Sequence, residues 1–143
     1  MNINQLQDEL IEDFSFFEDW MQKYDFIIQF AKELPIIDDQ YKVDEYKIKG
    51  CQSQVWLKPE QKDGIVYFKA DSDALITKGL VSLMIKVLSG HSAEDIAKAD
   101  LYFIDKIGLK DHLSPTRANG LLSMVKQMKL YAIALSAQNK AAE

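Results

Sequence analysis

Gly50-Cys51-Gln52-Ser53-Gln54-Val55-Trp56-Leu57 runs through a polar stretch, Lys58 to Gly64, into Ile65-Val66-Tyr67-Phe68-Lys69-Ala70, and the reading of this run decides the fold. Gln54 to Leu57 and Ile65 to Ala70 are short, rich in aliphatic and aromatic residues, and separated by a turn ending in Asp-Gly, so they read as strands. Tyr41 to Lys49 mixes Tyr, Val and Ile with charge and reads as an approach loop plus a further short strand. Three closely connected strands imply an antiparallel meander. Cys51, the only cysteine, falls between two of them with a glycine before it and three polar residues after it.

Helices are expected at both ends of the chain, before and after these strands in sequence, and packed on one side of the sheet. Leu6, Leu10 and Phe14 recur at helical spacing. Ser15 with Glu18 is a capping-box pattern, and Phe17, Trp20, Met21, Tyr24, Ile27, Ile28 and Ala31 continue an apolar stripe as far as Pro35. Asp73 reads as the N-cap of a helix over Ala74 to Ser89, which Gly90 ends. Ser92 with Asp95 caps a short helix, and another runs from about Asp100 to Gly108. Ser114-Pro115 opens the last helix, which extends to about Ala137 with the remaining residues frayed. The expected fold is α+β: a small three-stranded antiparallel sheet packed against helices in one domain, residues 1–143.

With 48% hydrophobic residues in 143, the chain can bury a core without staples. One cysteine and no apolar run near eighteen residues point to a soluble protein of the reducing cytoplasm, with no membrane partner. A net charge of −5 speaks against nucleic acid as a partner. Acid gathers early, at Asp8, Glu9, Glu12, Asp13, Glu18 and Asp19, as either a solvated helix face or a surface for a basic partner.

A lone thiol can act as a nucleophile, as one ligand of a metal shared with another chain, or as an inert buried hydrophobe. The only other soft ligands are His91 and His112, at no paired spacing, so no autonomous metal site is expected. Both histidines read as surface or capping residues, which leaves Cys51 without a general base of its own. A thiol so placed can still accept an activated sulfane sulfur, because a second enzyme supplies the activation.

Arg117 stands out as the only arginine among 17 basic residues, which suggests a site needing a planar fork of donors. It falls in the first turn of a helix, where the dipole disfavours a cation, so a partner such as Asp71 or Asp73 is expected to hold it. Its role is either structural or functional, and the two merge if it braces the loop that carries Cys51. Gly120, inside the same helix, implies that another backbone approaches there. Trp56 reads as a sheet-face aromatic or a partner contact.

Gly50 to Trp56 resembles the signature around the sulfur-accepting cysteine of the SufE family. Ala70-Asp71-Ser72-Asp73-Ala74-Leu75-Ile76 with Lys78-Gly79-Leu80, and Leu113-Ser114-Pro115-Thr116-Arg117-Ala118-Asn119-Gly120-Leu121, resemble two further family segments, and the similarity spans about Trp20 to Ala132. The resemblance implies a fold like that of SufE and IscU and a function in which Cys51 takes persulfide sulfur from a cysteine desulfurase of the SufS type. That sulfur would pass to an iron–sulfur scaffold of the SufBCD type. It also implies that Gly50, Gln52, Ser53, Asp73, Arg117 and Asn119 support the loop or contact the partner, that pyridoxal phosphate (PLP) belongs to the desulfurase, and that this chain holds no cofactor. The chain would be a monomer or weak homodimer and a partner of an enzyme rather than one standing alone. The alternatives are an IscU-type scaffold, which a single cysteine disfavours, and a noncatalytic adaptor.

Overall fold

The computed structural model describes residues 1–143. Helix α1 (Ile3–Ser15) begins with a capping box, but the pair is Asn2 and Gln5. Ser15 is no cap: it lies in the last turn of α1 and its hydroxyl donates to the Glu12 carbonyl. Helix α2 (Trp20–Phe30) starts instead at Asp19, whose side chain accepts from Gln22 N at 2.8 Å. The early acids are thus partly used for structure, since Asp8 also accepts from the Tyr102 hydroxyl at 2.6 Å.

Strands β1 (Val55–Lys62) and β2 (Ile65–Ser72) are longer than their apolar cores because only Asp63 and Gly64 are needed to turn the chain. Both adopt positive φ, +54° and +79°, as a two-residue hairpin of this hand requires. The sheet has three antiparallel strands in the order β1-β2-β3, but the third is not the one expected. Strand β3 is His91–Ser92, pairs with Ile65 and Val66, and follows helix α3, so the sheet is not a closely connected meander. The Tyr41 to Lys49 segment contributes one bridge, Lys47 to Trp56; the rest is 3-10 turns at Asp39–Tyr41 and Asp44–Tyr46.

Helix α3 (Leu75–Leu88) is buried along nearly its whole length, and ten of its fourteen residues are sealed from solvent. It packs on β2 and on α2, α1 and α6. Helices α4 (Ala93–Lys98) and α5 (Phe103–Lys106) follow, the first capped by Ser92 as expected. The helix expected over Asp100 to Gly108 is shorter because the fully buried Gln7 amide takes its leading groups, donating to Asp100 O and accepting from Phe103 N.

Helix α6 (Pro115–Ala141) starts at the Ser114 cap and continues past the expected end. Paired amide hydrogen bonds between Gln61 and Asn139, at 3.1 and 2.8 Å, tie its last turns to the hairpin, so the region beyond Ala137 is helix and not a frayed tail. Alternate residues Val55 and Leu57 of β1 and Val66, Phe68 and Ala70 of β2 join one apolar cluster with all six helices. Each such side chain larger than alanine, fully buried, contributes roughly 1.5–3 kcal/mol. No helix is long and apolar enough to cross a membrane.

Candidate functional site

The loop carrying Cys51 is clamped at its base. Ile48 N donates to Val55 O at 2.8 Å, which closes the loop beside the first residue of β1. A second clamp joins it to the approach to α3: Gln54 N donates to Asp73 Oδ1 at 3.0 Å, and Asp73 N donates to Gln54 O at 3.3 Å. Asp73 is therefore not the cap of α3. The N-cap position is Ala74, which has no side-chain hydrogen bond, because the carboxylate is turned toward the loop.

The loop lies on α6. Gly50 sits at φ +88°, a conformation that favours glycine, and a Cβ there would stand 2.6 Å from Ser123 Oγ. Cys51 rests against Gly120, with Sγ 3.6 Å from the Gly120 carbonyl oxygen. The backbone approach that Gly120 implied is thus that of Cys51 itself.

Cys51 is half-buried. It opens onto a cavity of about 80 Å³ lined by Gln52, Ser53, Thr77, Leu80, Thr116, Arg117, Gly120 and Met124. Burial pushes the Cys51 thiol up, and no neighbouring charge counteracts the shift. At rest the sulfur is a sheltered thiol and not a preformed thiolate.

Arg117 reaches this cavity, but not in the way its position suggested. Neither expected partner holds it: Asp71 is paired with Lys42 at 2.7 Å and with Lys78 at 3.4 Å, and Asp73 is engaged by Gln54. The guanidinium makes no ion pair or hydrogen bond, and the Arg117 backbone N–H is the only group of that residue engaged outside the helix, donating to the Ser114 hydroxyl. Arg117 is thus an exposed cation at the mouth of the thiol cavity, and a bracing role through an ion pair is overturned.

Of the other residues singled out, Gly50, Gln52, Ser53 and Asp73 gather around Cys51. Asn119, though on the same helix, is exposed and does not line the cavity. His91 is held between the carbonyls of Leu88 and Met1. His112 stacks on Trp20 at 3.9 Å and contacts Gly108 O, so neither histidine serves the thiol. Trp56 is half-buried on the sheet with the Lys42 ammonium 6.0 Å from its ring, in keeping with the sheet-face reading. No group of three or more His, Cys, Asp or Glu stands together to hold a metal ion.

Thr77 and Ser123 escaped the sequence reading. Thr77 is a buried hydroxyl in the apolar face of α3, four residues past Asp73 and three before Leu80, a spacing that places it at the cavity. Ser123 follows Gly120 by three, so the two small residues share the face of α6 on which the loop lies.

The model of the SufE, Fe-S metabolism associated domain matches residues 8–132. An uncharacterized SufE-like protein of Rhizobium meliloti is 39% identical over 127 residues, covering 85% of this chain and 91% of the relative. A second, from Rhizobium etli, is 41% identical over 127 residues, with 85% and 86% covered. SufE-like protein 1, chloroplastic/mitochondrial, of Arabidopsis thaliana is 37% identical over 134 residues, which are 92% of this chain and 36% of that longer protein. A solution structure of a hypothetical protein from Thermus thermophilus superposes with a TM-score of 0.75 over 90% of this chain and 94% of the other, at 17% identity, a likeness of fold alone. With a family model and relatives matching along most of its length, the chain belongs to the SufE family, whose domain is associated with iron–sulfur metabolism.

Proposed function

We propose that Cys51 is a persulfide acceptor that takes sulfur from a PLP-dependent cysteine desulfurase, stimulates that enzyme by doing so, and passes the sulfur on for iron–sulfur cluster assembly. The carrying observation is a single half-buried thiol in a twice-clamped loop, next to a small polar cavity with an unpaired guanidinium at its mouth. In the transfer, Cys51 Sγ as thiolate attacks the terminal sulfur of a persulfide on the donor's cysteine. A bond forms between Sγ and that sulfur, the donor's S–S bond breaks, and its cysteine leaves as a thiolate that takes up the proton Cys51 gave up. No external oxidant or reductant is consumed, since the sulfane sulfur carries its oxidation level with it.

The site suits acceptance better than generation of sulfur. No histidine or carboxylate stands at the thiol to act as a base, and burial keeps it protonated until docking changes its surroundings. The absence of a ligand cluster and of further cysteines counts against a scaffold that builds a cluster on this chain. PLP belongs on the donor, and the recipient would be a scaffold of the SufBCD type. A cytoplasmic location fits a protein that keeps a free thiol.

The test is intact mass after incubation with the desulfurase, its PLP and L-cysteine. An increment of one or more sulfur atoms on Cys51, removed by reductant and absent in Cys51→Ser, is expected. Equal stimulation of the desulfurase by wild type and Cys51→Ser under limiting reductant would refute the assignment.

A further inference from the structure

Beside the Cys51 loop, the segment from Asp44 to Lys49 and helix α6 enclose an open groove of about 500 Å³. Ile48 is its buried floor, Tyr131 and the 47% exposed Leu130 form an apolar wall, and Ser123 lies at the end where α6 touches Gly50. From Ser123 to Tyr131 the groove follows α6 for about 12 Å at 1.5 Å per residue, two turns of helix. The charges on its Asp44 to Lys49 edge follow the chain from the acids Asp44 and Glu45 through Lys47 to Lys49. Lys49, the neighbour of Gly50, and Lys126, one turn from Ser123, stand toward the thiol end, both exposed and neither ion-paired. Asp44 and Glu45 stand at the other end, where Glu45 raises the hydroxyl pKa of Tyr46, and burial first, with smaller effects of Tyr46 and Glu45, raises that of Tyr131. In a protein of net charge −5, the three unpaired ammonium groups of Lys47, Lys49 and Lys126 outnumber the groove's two carboxylates, and with the free Arg117 guanidinium at the neighbouring thiol cavity they give this face a local charge opposite in sign to the whole.

We propose that this groove docks an acidic, amphipathic segment of the sulfur donor, with its carboxylates on Lys49 and Lys126 and an apolar side chain against Leu130. The inference rests on the reading of Cys51 as sulfur acceptor and names the surface by which the donor is recognised. The donor is the occupant because uptake is the step that must open the site. A sheltered thiol has to leave Gly120 to attack, and a segment wedged along Ser123 and Lys126 bears on the seam where Gly50 meets α6. Desolvating apolar contact supplies affinity, while the charge order fixes the direction in which the segment lies.

The experiment measures binding of the PLP-loaded cysteine desulfurase to Cys51→Ser protein, which cannot accept sulfur, and separately measures sulfur uptake from L-cysteine by protein with Cys51 intact. Lys49→Glu/Lys126→Glu and Leu130→Ser are compared with Lys32→Glu/Lys106→Glu, a control of equal charge change away from the groove. The charge reversal at the groove should raise Kd at least tenfold and flatten its salt dependence, Leu130→Ser should raise Kd several-fold, and maximal uptake at saturating desulfurase should persist. The control should match wild type. Lys49→Gln/Lys126→Gln serves if the reversal impairs folding, with a smaller rise in Kd expected.

Unchanged Kd in the groove variants overturns the proposal, as does an equal effect of the control. Impairment confined to onward sulfur delivery, or a groove-dependent self-association, assigns the surface to another occupant and also overturns it. Wild type that binds through the groove but takes up no sulfur leaves the docking surface standing and refutes the acceptor reading; wild type that does not bind at all refutes both.

Discussion

Gly120 leaves on α6 the space that Cys51 occupies: a Cβ at Gly120 would stand 3.5 Å from the Cys51 sulfur, an ordinary contact distance. Alanine therefore fits without a clash, and replacing glycine inside a helix stabilises by roughly 0.8–1 kcal/mol. Gly120→Ala should then unfold at higher denaturant concentration than wild type. The same methyl group narrows a cavity of about 80 Å³, the room next to Sγ in which a received sulfur must sit. Sulfur uptake should fall several-fold in a protein that has become more stable. An unaltered uptake rate would show that the incoming sulfur does not use this cavity.

Asp73 holds the thiol loop by one side-chain hydrogen bond to Gln54 N, and the loop's other clamp, Ile48 N to Val55 O, is independent of it. Losing a single such bond costs about 0.5–1.5 kcal/mol, less at an exposed site, so Asp73→Ala should fold normally. It should release Cys51 for alkylation by iodoacetamide several-fold faster at fixed pH. Asp73→Asn keeps an oxygen acceptor and should lie between the two. Identical alkylation of Asp73→Ala and wild type would mean that the clamp does not control access.

Asp71 bridges Lys42 and Lys78 where β2 leaves the sheet toward α3. Burial pushes its carboxyl up, but hydrogen bonds from Lys42 and from the Ser72 N–H, with the charges of Lys78 and Lys42, outweigh this and hold its pKa below the ordinary value. The folded state thus binds its proton more weakly than the unfolded state. The stabilisation is present above the unfolded carboxyl value of about 3.9 and is lost as pH falls from there through the folded pKa. Asp71→Asn should be less stable than wild type at neutral pH, with the gap closing in urea melts below about pH 4. A gap that stays constant down to pH 2 would assign the loss to packing.

The hairpin and the buried helices were legible because each carries its own local signal: alternation in Val55 to Leu57 and Val66 to Ala70, a broad apolar face in α3, and the Ser114-Pro115 start of α6. The candidate site was legible in part for the same reason, since Gly50 marks a turn of positive φ and Gly120 the place on α6 where the Cys51 loop lies. What the sequence could not show is competition among partners. Asp73 has the residue type and position of an N-cap, yet Gln54 N claims its carboxylate because the hairpin brings residue 54 opposite residue 73. Strand β3 is two residues long and depends on Gly90 N reaching Val66 O, a pairing with no local pattern. Asp71 was offered to Arg117 by charge alone, and two lysines stand closer.

Arg117, like Lys49 and Lys126, has no ion-pair partner within the chain, and of these three cations it is the one that lines the cavity of Cys51. Because it holds nothing in the free protein, Arg117→Ala should change stability by less than about 0.5 kcal/mol, as exposed substitutions usually do. Alkylation of Cys51 should likewise stay within about twofold of wild type, since no guanidinium contact closes the loop. Sulfur uptake is where the loss should appear, because a persulfide anion or a carboxylate of the donor arriving at the cavity meets the only planar fork of donors in the chain. Arg117→Lys restores the charge without the fork and should recover only part of the uptake, by raising affinity for the desulfurase more than the maximal rate. The measurement is sulfur uptake against desulfurase concentration for the three proteins, with urea melts and alkylation rates alongside. A marked loss of stability in Arg117→Ala would return the residue to a structural role. Full recovery by lysine would reduce its part to that of a simple cation.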